Sequence, residues 1–74
     1  MEPYRISPDG LLTSRQKEIV SFIAEDLTAK EIGERLGISA KTVEFHRTLI
    51  RERLEVRGTA GIVRYAIRTG LVQP

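Results

Sequence analysis

Residues 28–54, TAKEIGERLGISAKTVEFHRTLIRERL, constrain the fold more than any other part of this chain. They predict a short helix over about 29–36 and a longer one over about 40–54, separated only by Gly37-Ile38-Ser39. Thr28 followed three residues later by Glu31 has capping-box spacing: the hydroxyl accepts from an amide in the first turn while the carboxylate accepts from the cap amide. Gly37 stands directly after Leu36, where a left-handed residue ends a helix, and Ser39 is placed to cap the next one. The chain therefore reverses within three residues between two helices whose ends are both locally specified, which is a helix-turn-helix.

The second helix has two unlike faces. At about 100° per residue, Val43, His46, Ile50 and Leu54 share one side, the spacing of a stripe that packs on a core. Lys41, Glu44, Phe45, Thr48 and Glu52 lie opposite, with Arg47 and Arg51 on a flank. Donors, an acceptor and a large apolar ring on one outward face match what the B-DNA major groove offers, namely acceptors, donors and the thymine methyl. The plain alternative is a solvated face of a small helical bundle, since charged outer faces are ordinary on surface helices.

Bulk properties bound what surrounds this unit. Seventy-four residues make one domain, near the size at which a lone apolar core is barely sufficient. Aromatic residues are 5% of the chain and Trp is absent, so Ile, Leu and Val must build the core. The net charge of +2 identifies no partner by itself. Local distribution says more: over residues 41–57, Lys41, Arg47, Arg51, Arg53 and Arg57 face only Glu44, Glu52 and Glu55. Arginine dominates that set, and its planar fork suits phosphates and guanine edges. Without cysteine there are no disulfides or thiolate metal sites, and one histidine cannot hold zinc unaided. No apolar run reaches membrane-spanning length and no signal peptide is visible, so a cytoplasmic protein with no membrane partner is expected.

Two more helices flank the central pair. Residues 13–26 predict the first, with Thr13 and Gln16 as a second capping box, Leu12 as a staple, and Ile19, Val20, Ile23 and Leu27 as its buried stripe. Residues 59–69 predict the last, ended by Gly70. Ile62, Val63, Ala66 and Ile67 are expected inside, leaving Gly61, Arg64, Tyr65 and Arg68 outside. Residues 1–10, MEPYRISPDG, have two prolines and no helical period, so a flexible segment or linker remnant is expected there, with the domain proper over 11–74. His46 lacks a nearby nucleophile, carboxylate or second ligand at workable spacing, so a packed, hydrogen-bonded core histidine is expected. No Gly-rich phosphate loop or Ser-His-Asp set exists, and neither an enzyme nor a cofactor is expected.

Leu12-Thr13-x-Arg15, Lys30-Glu31-Ile32, Leu36-x-Ile38-Ser39, Thr42-Val43-x-x-His46 and Leu54-x-Val56, in this order and with these gaps, resemble the DNA-binding domain of LuxR-type (NarL/FixJ-type) regulators. The resemblance covers nearly the whole chain, from Leu11 to about Leu71. It implies an all-α, four-helix domain of a bacterial transcription regulator that binds double-stranded DNA through its third helix as a homodimer. The C-terminal effector domain of a two-component response regulator is the form expected, with RNA polymerase as a further candidate partner. Glu44, Phe45 and Thr48 match positions that approach base edges, and Lys30, Lys41, Thr42, Arg47 and Arg51 are the phosphate-binding candidates. The last helix makes the dimer contact in the family, which places Gly61, Arg64, Tyr65 and Arg68 there.

Departures from the family pattern are visible too. Asp26 stands where glycine is usual and is expected in a left-handed conformation, Ala29 where asparagine is common, and Glu44 where many relatives have lysine. Thr59 and Gly61 replace the usual arginine and a larger residue. Arg15 and Glu18 match positions that in the family help tie the helices together, and a structural ion-pair role is expected for them. Two other readings of the same residues are a sigma-factor-like promoter-reading module and a protein-interaction module that uses the outward face.

Overall fold

The computed structural model describes residues 11–73. The expectation for residues 1–10 lies outside the described residues. Four helices follow in order: α1 (Ser14–Ala24), α2 (Ala29–Leu36), α3 (Ala40–Leu54) and α4 (Thr59–Arg68). The architecture is thus the all-α, four-helix arrangement expected, with α1 and α4 each a little shorter than the pattern suggested.

The helix starts follow from their caps. Thr13 Oγ1 accepts from the Gln16 amide at 3.1 Å while Gln16 Oε1 accepts from the Thr13 amide at 2.9 Å. Thr28 and Glu31 repeat the box at 3.1 and 2.8 Å. Ser39 Oγ accepts from the Thr42 amide at 3.0 Å. Each cap satisfies an amide that a helix start leaves without an intrahelical partner, worth about 1 kcal/mol apiece.

The helix ends share one device. Asp26, Gly37, Glu55 and Gly70 all have positive φ, at 68°, 72°, 57° and 77°. The residue after each one donates its amide back five positions: Leu27 to the Phe22 carbonyl, Ile38 to Gly33, Val56 to Arg51 and Leu71 to Ala66. This is the Schellman closure, which satisfies terminal carbonyls and turns the next side chain back onto the helix. Leu27, Ile38, Val56 and Leu71 all pack against the core. The left-handed Asp26 was legible; the left-handed Glu55 was not.

The core consists of Leu12, Ile19, Val20, Ile23, Ile32, Val43, Ile50, Ile62, Tyr65 and Ala66. All four helices contribute to it, α2 lying mainly on α3 and α4 mainly on α1. Gln16 is also buried, its side chain consumed by the α1 cap.

On α4 the structure corrects the expected faces. Gly61 and Tyr65 are buried beside Ile62 and Ala66, whereas Ile67 is 39% exposed and Val63 only half-buried. The inward stripe is turned by about one residue, roughly 100°. Close packing explains Gly61: a Cβ there would stand 2.6 Å from the Val56 Cβ. Tyr65 brings more apolar area into the core than Ile67 would.

Candidate nucleic-acid interface

The candidate interface is the outward face of α3, and its rigidity begins inside. Val43 and Ile50 are completely buried, one near each end of the helix, so α3 cannot roll without exposing them. His46 between them is half-buried, and burial first, then the nearby Arg15 charge, holds its imidazole below the usual pKa. Its Nδ1 is buried without a hydrogen-bond partner, and its ring meets Phe45 edge-on at 6.0 Å. It is a packed histidine at the edge of the core, and the hydrogen bond expected of it is not made at Nδ1. Arg15 also pairs with Glu18 at 4.0 Å, a contact that closes within α1.

α2 meets α3 at a corner that only glycine allows. A Cβ on Gly33 would lie 2.5 Å from the Ile38 carbonyl oxygen and 3.3 Å from the Ser39 carbonyl carbon. The Gly33 carbonyl in turn accepts from both the Gly37 and Ile38 amides. Sequence reading passed over Gly33, although a glycine in the middle of an eight-residue helix, costing about 1 kcal/mol relative to alanine, is a signal that something approaches closely.

The outward face of α3 carries Lys41, Thr42, Glu44, Phe45, Thr48 and Glu52, all exposed. Among the described residues Phe45 is the most exposed large apolar side chain, at 62%. Thr48 Oγ1 donates to the Glu44 carbonyl at 3.1 Å and accepts from Arg51 Nη2 at 3.2 Å. Ser39 and Thr42 join hydroxyls at 2.9 Å at the start of the helix. Lys30 is exposed at the second position of α2. Arg47 and Arg51 occupy the flanks, half-buried. Glu44, Phe45, Thr48, Lys41, Thr42, Arg47 and Arg51 therefore come from one helix, and Lys30 comes from the helix packed against it.

The four residues assigned to a dimer contact separate. Arg64 and Arg68 are exposed, whereas Gly61 and Tyr65 belong to the core. Arg68 lies over the Tyr65 ring at 5.9 Å, so the outer face of α4 offers Arg64, Ile67 and Arg68. Among the described residues, no cluster of His, Asp or Glu could hold a metal ion and no helix is long and apolar enough to cross a membrane.

Residues 10–66 match the family described as bacterial regulatory proteins, luxR family. The chain is 42% identical over 67 residues to the uncharacterized response regulatory protein YgeK of Escherichia coli, covering 90% of this chain and 46% of that protein. It is 41% identical over 61 residues to the transcriptional regulatory protein MctR of Rhizobium johnstonii, covering 82% of this chain and 28% of MctR. Against the oxygen regulatory protein NreC of Staphylococcus carnosus the identity is 38% over 71 residues, covering 96% of this chain and 30% of NreC. The chain thus spans less than half the length of each of these relatives. No solved structure matches. The matched family and the capped helix-turn-helix identify the chain as a member of the luxR family of bacterial regulatory proteins, carrying its DNA-binding helix-turn-helix domain.

Proposed function

We propose that this chain is the effector domain of a bacterial response regulator, placing α3 in the major groove and reading sequence with Glu44, Phe45 and Thr48. The observation that carries this reading is the outward face of α3: an acceptor, an apolar ring and a hydroxyl stand exposed on a helix whose opposite side is locked into the core. In the groove Glu44 accepts from a cytosine amino group, Phe45 packs on thymine methyls, and Thr48 donates or accepts. Lys30, Lys41 and Arg51 contact phosphates, Thr42 offers its hydroxyl beside them, and the positive ends of α2 and α3 add to the attraction. The names of YgeK and MctR, as response and transcriptional regulatory proteins, support the same assignment.

Two protomers meet on DNA through the outer face of α4, with Arg64, Ile67 and Arg68 at the contact and Gly61 and Tyr65 supporting it from beneath. One short helix per subunit buries far less than the roughly 1,200–2,000 Å² of a standard stable interface, so pairing depends on DNA holding two half-sites side by side. RNA polymerase is a further partner in this reading, and the setting is cytoplasmic.

Selection from randomised duplex DNA, followed by titration at several salt concentrations, tests the assignment. A defined site bound by two protomers is expected, with log K falling against log salt at a slope of roughly −3 per protomer for three phosphate contacts. One protomer per site would favour a sigma-like promoter reader. Absence of DNA binding at low salt would point to a protein-interaction module.

A further inference from the structure

Arg47 does not sit as a phosphate-binding arginine sits. Its side chain is only 18% exposed, although Glu44, Phe45 and Thr48 on the same helix are exposed. Nη2 donates to Thr59 Oγ1 at 3.1 Å, reaching from α3 to the first residue of α4. Nε is buried without a hydrogen bond, and Glu44 Oε1 lies 3.5 Å from it as an ion-pair partner. One guanidinium is thus anchored on α4 and faces the carboxylate assigned to base reading.

Two consequences follow from simple electrostatics and geometry. A bare carboxylate entering a groove lined by phosphates is repelled, and an adjacent guanidinium offsets that repulsion. The separation of 3.5 Å exceeds the roughly 2.7–2.9 Å of a charge-assisted hydrogen bond. The Glu44 side chain, 60% exposed, is therefore biased in direction but keeps acceptor capacity for a base.

We propose that Arg47 is a positioning residue for base selection: anchored on Thr59, it sets the direction in which Glu44 offers its carboxylate to a cytosine amino group, rather than clamping a phosphate. This rests on the DNA-binding reading above. Thr59 becomes a determinant of specificity although it touches no base.

The test uses the whole chain and a selected duplex in which each position is replaced in turn by the other three base pairs. Glu44→Gln identifies the base pair that Glu44 reads. Thr59→Val removes the anchoring hydroxyl at nearly constant shape on an exposed position. It is expected to lower discrimination at that same base pair by about tenfold, the worth of one weak base contact. The slope of log K against log salt should stay unchanged, because no phosphate contact is lost. In the Glu44→Gln background Thr59→Val should add nothing, and Thr59→Ser, which keeps the hydroxyl, should retain the original discrimination. Uniformly tighter binding with a steeper salt slope in Thr59→Val would show that the released Arg47 goes to a phosphate, overturning the proposal. So would unchanged discrimination, or failure of Glu44→Gln to alter preference at any position. No binding of the unsubstituted chain to any duplex would overturn the DNA-binding reading itself.

Discussion

Gly33→Ala sets helix propensity against a steric limit, and the structure decides which wins. In an exposed helix the replacement stabilises by about 1 kcal/mol, because glycine loses more backbone freedom on folding. Here the new methyl would sit 2.5 Å from the Ile38 carbonyl oxygen, where ordinary contact begins at 3.4 Å. The atoms in its way are backbone, held by the Ile38 amide on the Gly33 carbonyl at 3.0 Å and by the Ser39 cap at 3.0 Å. Overpacking of this kind costs about 1–3 kcal/mol. Loosening one or two of the turn's hydrogen bonds adds about 1 kcal/mol each. Set against the gain in propensity, the net is a destabilisation of about 1–4 kcal/mol. For a domain this small that lowers Tm by at least about 5 °C. Circular dichroism melts of the two proteins measure it directly. A second readout is DNA affinity at a temperature where both are folded: opening the corner shifts Lys30, a proposed phosphate contact, relative to α3, so on that proposal affinity should drop although none of the proposed contact residues is changed. An unchanged or raised Tm would refute the reasoning, because it would mean that the turn yields at no cost and propensity governs.

Two other perturbations test the helix ends and the half-buried histidine. Glu55→Gly should raise stability by about 0.5–1 kcal/mol in urea unfolding, since Glu55 holds φ at 57° and places a negative charge at the negative end of α3; a loss of stability would show that its side chain supports the turn. His46 has its pKa lowered on folding by burial and by Arg15, so the unfolded chain takes up the proton first. Stability is therefore full above the unfolded value of about 6.5 and declines as pH falls from there toward the lowered folded value. Tm measured between pH 7.5 and 5 should fall, and His46→Gln should remove that part of the decline; a flat profile in the unsubstituted chain would exclude the half-buried, charge-opposed setting.

What residues within four positions of one another can settle was already present in the sequence. The capping boxes at Thr13 and Thr28, the Ser39 cap, the glycine stop at Gly37 and the two faces of α3 all depend on hydrogen bonds and a helical period that span one turn. The motifs spread from Leu12 to Val56 carried the family for the same reason, as short patterns whose spacing survives without coordinates. Contacts between distant segments needed the fold. In α4, Ile62, Val63, Ala66 and Ile67 offered one apolar stripe, but Val56 pressing on Gly61 and Tyr65 entering the core turned the helix by a residue. Gly33 has meaning only once the Ile38 carbonyl stands against it. That Arg47 reaches Thr59, twelve positions on, at 3.1 Å is likewise visible only in the fold. Periodicity tells which residues of a helix share a side, while only packing against the other helices determines which side is turned inward and which distant group a long side chain reaches.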